Sequence, residues 1–144
     1  MSDKPLDLQN IILNHCRREG VAVNIFLIKG VRLQGVVSGF DPFVLTLKRD
    51  GREQLVYKHG VATLSAPIDA SILPPDGPAA GEGLQQAYLD RVVGGLSEVF
   101  LTSGVRLTGR LAAHDRYTLV LETPENGLQL VYKHALSSLS GARS

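Results

Sequence analysis

Residues 55–59 read LVYKH, and the same five letters return at residues 130–134. Each copy follows a related segment, which reads VRLQG at 31–35 and VRLTG at 105–109. The two YKH tripeptides lie 75 residues apart. A segment that recurs together with its surroundings is typical of a duplicated domain. The chain is therefore predicted to contain two copies of one small domain.

The size of the chain agrees with this division. Its 144 residues suit two domains of about 60 residues each. Domains this small bury a modest fraction of their surface, so we expect them to gain stability by association with neighbours. The single cysteine, Cys16, excludes an intramolecular disulfide and a cysteine-rich metal site. No signal peptide and no apolar run long enough for a bilayer is recognisable, which predicts a cytoplasmic protein without a membrane partner.

The charge is unevenly distributed although the formal net charge is only +1. Residues 1–65 contain nine Lys or Arg against six Asp or Glu, whereas residues 84–144 contain six against five. Many unrelated domains have a similar excess, so this balance alone is weak evidence for nucleic-acid binding.

The first copy predicts one helix followed by five strands. Apolar residues at helical spacing begin after Asp7, which is placed to cap the helix, and Gly20 ends it. Alternating apolar residues and turn signals, including Asp50-Gly51, then delimit the strands. Gly35 and Gly39 lie inside the second strand and indicate a strong bend, as a small barrel requires.

The second copy repeats the same order of elements, with its hairpin turn at Asn126-Gly127. Residues 66–83 are rich in Pro, Gly and Ala and are predicted to form a linker. The predicted domains are 1–65, which we call repeat 1, and 84–144, which we call repeat 2. The predicted fold class is mainly β, with two strongly bent five-stranded barrels of the SH3-like type in tandem, each preceded by a short helix.

Three pieces of repeat 1 carry a family resemblance: FLIKGVRLQG at 26–35, FDPFVLTLK at 40–48 and LVYKH at 55–59. They resemble Hfq, the bacterial family of Sm-like RNA-binding domains. The resemblance covers residues 6–65 closely and residues 84–140 less closely. It implies domains that join through the edges of their last two strands into a ring of six. It also implies RNA binding, to small regulatory RNA and messenger RNA, on two faces and the rim of that ring.

A cation and an imidazole beside an aromatic ring suit a phosphate and an unstacked base, and a glutamine amide can read a base edge. These types match the family's proximal face, which prefers uridine. The predicted proximal residues are Gln9, Phe43, Lys58, His59, Gln85, Tyr117, Lys133 and His134. The alternative is that each Lys-His pair belongs to a solvated turn, but its presence in both copies favours RNA.

A second set corresponds by resemblance to the opposite, distal face, where the family binds adenine-rich RNA. The predicted distal residues are Phe26, Gly30, Val31, Leu33 and Gln34 in repeat 1, and Phe100, Val105, Leu107 and Thr108 in repeat 2. A threonine hydroxyl cannot make the two-point amide contact with adenine, so the site is predicted for repeat 1 and doubtful in repeat 2. Both phenylalanines could instead belong to the barrel core.

Arg17 and Arg18 end the first helix and resemble the arginine patch on the rim of the family's ring. Adjacent arginines favour phosphate contacts, although they also complement the helix dipole. Repeat 2 has Val-Gly-Gly at 93–95 instead, so RNA annealing is predicted to depend on repeat 1.

The sequence thus predicts an RNA chaperone that forms a homotrimeric ring of six domains. An interaction ring with reduced RNA affinity is the alternative, favoured by the low net charge and the altered second copy. An enzyme is disfavoured because no catalytic residue set, metal spacing or phosphate loop is present, and no cofactor is predicted. His15, His59, His114 and His134 have no regular ligand spacing.

Overall fold

The computed structural model describes residues 7–74 and 83–141, which form two α-helices and ten β-strands. Repeat 1 contains α1 Leu8–Glu19, β1 Ala22–Leu27, β2 Arg32–Phe40, β3 Val44–Arg49, β4 Arg52–Tyr57 and β5 Val61–Ala66. Repeat 2 contains α2 Leu84–Val92, β6 Leu96–Leu101, β7 Arg106–His114, β8 Thr118–Thr123, β9 Gly127–Tyr132 and β10 Leu136–Gly141. Short 3₁₀ turns cover Lys58–Gly60, Ala70–Ile72 and Lys133–Ala135. The predicted mainly β fold, with one helix before five strands in each copy, is confirmed.

Local sequence determines where α1 begins and ends. The Asp7 side chain accepts a hydrogen bond from the backbone N–H of Asn10, and Gly20 adopts the left-handed conformation at the helix end with φ 63°. The face of α1 that includes Ile12 and Cys16 is buried against the strands. The predicted helix and both of its caps are confirmed.

Glycine permits the close packing of the bent second strand. A Cβ atom at Gly35 would lie 2.6 Å from the backbone oxygen of Lys48, and one at Gly109 would lie 2.8 Å from a backbone oxygen of β8. The register between β2 and β3 shifts between Val37 and Gly39. These features produce the predicted bend.

The two hairpin turns differ from each other. Asp50 and Gly51, with φ 52° and 78°, form the predicted two-residue turn between β3 and β4. In repeat 2 the loop has three residues, since Thr123 pairs with Gly127. Asn126 therefore ends the loop and Gly127, at φ 70°, begins β9, which corrects the predicted two-residue turn. The Thr123 hydroxyl closes this loop by donating to the Gly127 carbonyl oxygen at 2.9 Å.

All ten strands belong to one antiparallel sheet, in the order β10-β6-β7-β8-β9-β5-β1-β2-β3-β4. The two repeats are joined where β5 pairs with β9, with Thr63 opposite Val131 and Ala66 opposite Leu128. We call this contact the internal junction. It leaves β4 of repeat 1 and β10 of repeat 2 as the two terminal strands of the sheet.

The hydrophobic core crosses the internal junction. Ala113, Val120, Leu128, Leu130 and Tyr132 of repeat 2 are buried in the same cluster as the core of repeat 1. Ala62 of repeat 1 is buried in the cluster of repeat 2. Each repeat therefore completes part of the other's core.

Part of the predicted linker is structured. β5 extends to Ala66, the Asp69 side chain accepts a hydrogen bond from the Ser71 N–H, and Leu73 is buried on the core of repeat 1. The remaining predicted linker residues, 75–82, lie outside the described residues. Neither helix in the described part of the chain is long and apolar enough to cross a membrane.

Candidate nucleic-acid interface

A cavity of about 690 Å³ lies at the internal junction, between the start of α1 and the ends of β4 and β9. It brings together six of the eight residues predicted for the proximal face. They are Gln9, Phe43, Lys58, His59, Tyr117 and His134.

Lys58 is the buried cation of this cavity. Its side chain is only 6% exposed, and its Nζ atom has no hydrogen-bond partner among the described residues. The ammonium lies 5.8 Å from the centre of the Phe40 ring. Burial lowers the pKa of Lys58, and the charges of Asp7 and Asp41 oppose that effect. Because the Nζ atom itself is buried, an anionic group in the cavity would supply the missing partner once the Lys58 side chain rotates its ammonium towards the cavity.

Two aromatic rings stand at the mouth of the cavity, Phe43 with 76% and Tyr117 with 63% of their surface exposed. Each belongs to a loop held by an aspartate. Asp41 accepts from the N–H of Phe43 at 2.8 Å, and Asp115 accepts from that of Tyr117 at 2.9 Å. The first of these bonds is the main reason why the pKa of Asp41 lies below its usual value. The loops thus present flat apolar rings to solvent, as base stacking requires.

The Gln9 side chain is oriented from the other repeat. The Tyr132 hydroxyl donates to Gln9 Oε1 at 2.9 Å. Burial raises the pKa of Tyr132 above its usual range, so the hydroxyl keeps its proton. The Gln9 amide nitrogen, a double donor, is left for a ligand in the cavity.

The two histidines have different surroundings. His134 donates from Nε2 to the Val61 carbonyl oxygen at 2.8 Å, across the internal junction, and stacks on Tyr132 with ring centres 5.3 Å apart. His59 is exposed and lies 5.9 Å from the Tyr57 ring. His134 therefore already serves the junction, whereas His59 faces the free edge of β4.

Gln85 and Lys133 do not line this cavity. Gln85 is exposed in a separate groove between α2 and β10, about 610 Å³ in volume, with Leu84, Tyr88 and Leu136. The Lys133 Nζ atom is buried without a hydrogen-bond partner among the described residues, as Lys58 Nζ is. The second set of proximal residues is thus divided between the internal junction, where Tyr117 and His134 lie, and the β10 edge, where Gln85 lies.

The distal residues lie on exposed turns and strands in both repeats. Phe26 and Phe100 are 37% and 38% exposed, so neither is a core residue. Gly30 and Gly104 have nearly equal φ angles, 93° and 92°, and the turn they form leaves Val31 and Val105 exposed. Leu33 and Leu107 are half-buried. The two distal surfaces therefore share one backbone shape.

Their polar residues differ. Gln34 is exposed on β2 opposite Asn24, whereas Thr108 is exposed on β7 opposite Glu98. Glu98 forms an ion pair of 3.2 Å with Arg106. An acid at this position repels phosphate and neutralises the nearest cation, an effect that the sequence pattern did not reveal.

The sequence pattern also missed a basic groove in repeat 1. Arg32, Arg49 and Arg52 line a space of about 270 Å³ that includes Gln34. Asp50 also lines it and lies 3.6 Å from Arg49, so the excess is two positive charges. In repeat 2 the positions of Arg49 and Arg52 hold Thr123 and Gly127, as the strand registers show. Because Arg32 of β2 meets the β3–β4 hairpin only in the folded sheet, charge counts along the chain could not identify this groove.

The rim arginines differ in their contacts. Arg17 lies 5.8 Å from the Phe40 ring and donates to Asn14 at 2.8 Å, whereas Arg18 is exposed. In repeat 2 the place of Phe40 is taken by buried His114, which bonds Asp90 at 2.8 Å. The helix of repeat 2 is therefore attached by a polar pair where repeat 1 has a cation above a ring.

Comparison with known proteins gives matches to both repeats. The family model "Hfq protein" matches residues 8–70 and again residues 84–144. RNA-binding protein Hfq of Parvibaculum lavamentivorans (strain DS-1) is 43% identical over 76 residues, which are 53% of this chain and 93% of the relative. The same protein of Rhodopseudomonas palustris (strain TIE-1) is 46% identical over 80 residues, 54% of this chain and 98% of the relative.

A relative from Clostridium perfringens (strain SM101), also RNA-binding protein Hfq, is 52% identical over 59 residues, 41% of this chain and 74% of the relative. Among solved structures, the 1.55 Å crystal structure of the pleiotropic translational regulator Hfq matches with 28% identity and a TM-score of 0.39. That match covers 40% of this chain and 97% of the other. Because the family model matches most of the chain, once in each repeat, this chain belongs to the Hfq family.

Proposed function

We propose that this chain is an RNA-binding protein whose cavity at the internal junction takes single-stranded, uridine-rich RNA. The observation that carries the proposal is the state of Lys58. This cation is only 6% exposed, yet it lacks a hydrogen-bond partner among the described residues. A phosphate oxygen is a ligand of the right charge and size for it.

The rest of the cavity suits a base beside that phosphate. Phe43 and Tyr117 offer stacking surfaces, and the Gln9 amide nitrogen offers hydrogen-bond donors. Uracil presents carbonyl acceptors on its edge, so donors of this kind favour it. The curated relatives carry the name RNA-binding protein, which supports the same function here.

The active assembly is a ring of three chains in the cytoplasm, with six domains in alternating order. Support comes from the sheet, which ends in β4 on one side and β10 on the other. The internal junction joins the same two strand positions, the fourth of one repeat and the fifth of another. A head-to-tail contact of this type generates a closed ring when its rotation closes.

The distal face of repeat 1 takes adenine-rich RNA, and the rim supports annealing of a regulatory RNA to a messenger RNA. Gln34 beside three arginines supports the first role, and exposed Arg18 beside Arg17 supports the second. The distal face of repeat 2 contributes little, because Glu98 occupies it. This inequality is what favours the second candidate, an interaction ring with reduced RNA affinity.

The test replaces Lys58 by Met, which keeps the length of the side chain and removes the charge. Fluorescence anisotropy with a labelled uridine-rich oligonucleotide should show weaker binding and a shallower dependence on salt. Lys29→Met, at an exposed lysine of the β1–β2 turn, is the matched control and should leave uridine binding almost unchanged. Equal affinity of both variants, with the assembly intact, would reject the cavity as an RNA site.

A further inference from the structure

Five polar contacts cross the internal junction in addition to the strand pairing. In the longest, Ser65 Oγ donates to the Asn126 carbonyl oxygen at 3.3 Å. The other four are shorter. Asp115 Oδ2 accepts from the Leu8 N–H, Tyr132 donates to Gln9, His134 donates to the Val61 oxygen, and the Gln129 amide donates to Ser65 Oγ, with distances of 2.8, 2.9, 2.8 and 2.8 Å. Because the two repeats have equivalent positions, the residues of each contact can be located at the free edges of the sheet as well.

Every side chain in these contacts has an identical counterpart at a free edge. On the β4 side the counterparts are Asp41, Gln54, Tyr57 and His59. On the β10 side they are Gln85, Ser140 and the backbone groups of Leu84 and Leu136. The two sets are complementary, so a second copy of this chain is the partner that fits them.

The start of α2 shows what such a partner would supply. α1 has a side-chain cap, but the N-cap residue of α2 is Gly83 and makes no side-chain hydrogen bond. Asp115 uses Oδ1 for its own loop and Oδ2 for the Leu8 N–H. Asp41 also uses Oδ1 for its loop, and its Oδ2 accepts no hydrogen bond within the described residues.

We propose that Asp41 of one copy caps helix α2 of the next copy, and that the junction formed in this way is weaker than the internal junction. The inference rests on the ring assembly proposed above. In the register of the internal junction, Ser140 lies opposite Gln54 of the next copy. The contact completes a second class of cavity, with Gln85, Tyr117 and Lys133 from one copy and Phe43, Tyr57 and His59 from the next.

The apolar residues explain why the second junction is weaker. Three positions that are buried at the internal junction, Ala62, Val120 and Leu128, correspond to Ser137, Thr46 and Glu53 at the free edges. On the free face, Glu53 and Thr46 are both hydrogen-bonded to Ser38 at 2.8 Å. The junction between copies therefore keeps the polar contacts but buries less apolar surface and more polar groups.

One glycine indicates which strands can meet. A Cβ atom at Gly127 would clash with the Ala66 oxygen and lie 2.9 Å from Pro67 Cα, because the chain that leaves β5 passes over the start of β9. Arg52 stands at the matching position of β4. Were β5 of another copy to pair with β4, its Pro67 segment would meet the Arg52 side chain. The β4 edge thus favours β10, which keeps the repeats in alternation.

A cysteine pair tests the partner and the register. Directly opposite residues of antiparallel strands are close enough for a disulfide, and Cys16, the only native cysteine, is buried. Oxidised Gln54→Cys/Ser140→Cys should give dimers and trimers on a non-reducing denaturing gel. The matched pair Ser65→Cys/Gln129→Cys should give only intramolecular bonds. Gln54→Cys/Ser65→Cys, which reports pairing of repeat 1 with repeat 1, should give none.

Asp41→Asn tests the cap, since asparagine keeps the Oδ1 acceptor of the loop but presents an amide in place of Oδ2. Sedimentation should show dissociation of the assembly at a concentration about five-fold higher or more. Asp115→Asn should lower the unfolding midpoint of the chain instead. Failure of the 54/140 pair to link chains, or equal dissociation of Asp41→Asn and wild type, would overturn this inference even if RNA still binds. Linked chains that bind no uridine-rich RNA would overturn only the proposed function.

Discussion

The Tyr132 hydroxyl of repeat 2 and the Gln9 side-chain oxygen of repeat 1 are joined by a 2.9 Å hydrogen bond. The two residues are 123 positions apart in the chain. This bond turns the amide nitrogen of Gln9 away from the tyrosine, so one repeat orients a side-chain amide of the other.

Tyr132→Phe should weaken uridine-rich RNA binding about five-fold, because the freed Gln9 amide no longer holds one orientation. Anisotropy titration measures the change, and near-ultraviolet circular dichroism checks that the fold is intact. Tyr117→Phe keeps the exposed ring and removes only a hydroxyl, so it serves as the control and should bind like wild type. If Tyr132→Phe binds uridine-rich RNA with wild-type affinity, Gln9 does not contact the base.

Uridine binding should fall with rising pH earlier than for a site with an ordinary lysine. Burial lowers the pKa of Lys58, so its proton is lost at a lower pH and the attraction for phosphate goes with it. Folding has the opposite sign, because the cost of the buried charge is present at neutral pH and is relieved as pH rises through the lowered pKa, so folding stability rises where binding falls. Lys58→Arg stays charged throughout and should flatten the binding profile on the alkaline side, below the ordinary lysine pKa of 10.5. Parallel profiles for both proteins would contradict the role of Lys58.

Gln34→Thr should reduce the affinity for adenine-rich RNA by on the order of 1–3 kcal/mol per lost two-point contact. Uridine binding should hardly change, because Gln34 lies outside the junction cavity. The reverse change, Thr108→Gln, should have little effect alone because Glu98 stands opposite residue 108. Thr108→Gln with Glu98→Asn should increase adenine binding. If none of these variants changes adenine binding, the distal face is not used.

Glu53→Leu, which copies Leu128 of the internal junction, should stabilise the contact between copies. The gain comes from apolar burial and from removal of a carboxylate that faces the next copy. Dissociation on dilution, followed by sedimentation or light scattering, should shift to lower concentration. Lys48→Leu on the neighbouring strand is exposed and serves as a hydrophobic control. A shift of equal size for both variants would indicate non-specific hydrophobic association instead.

The parts of the structure that sequence predicted are those fixed by neighbouring residues. The cap at Asp7, the helix end at Gly20 and the turn at Asp50-Gly51 each depend on a few adjacent positions. Interactions between adjacent residues of this kind can be predicted from a single sequence.

The contacts that sequence did not predict join distant positions. Nothing in the pattern around Gln9 indicates Tyr132, and nothing around Asp115 indicates that its second oxygen binds the Leu8 N–H. The ion pair of Glu98 with Arg106 depends on which strands become neighbours. Such pairings follow from strand order, so they appear only when the sheet is known.

The pairing of β5 with β9 also changes how ring formation would depend on protein concentration. A ring of separate single domains requires six molecules to meet, and its yield depends on the sixth power of their concentration. In a ring built from this chain, every second junction closes while the chain folds, and the yield depends on the third power. For junctions of equal strength, the proposed three-chain ring would therefore form at a lower concentration than a ring of six separate domains.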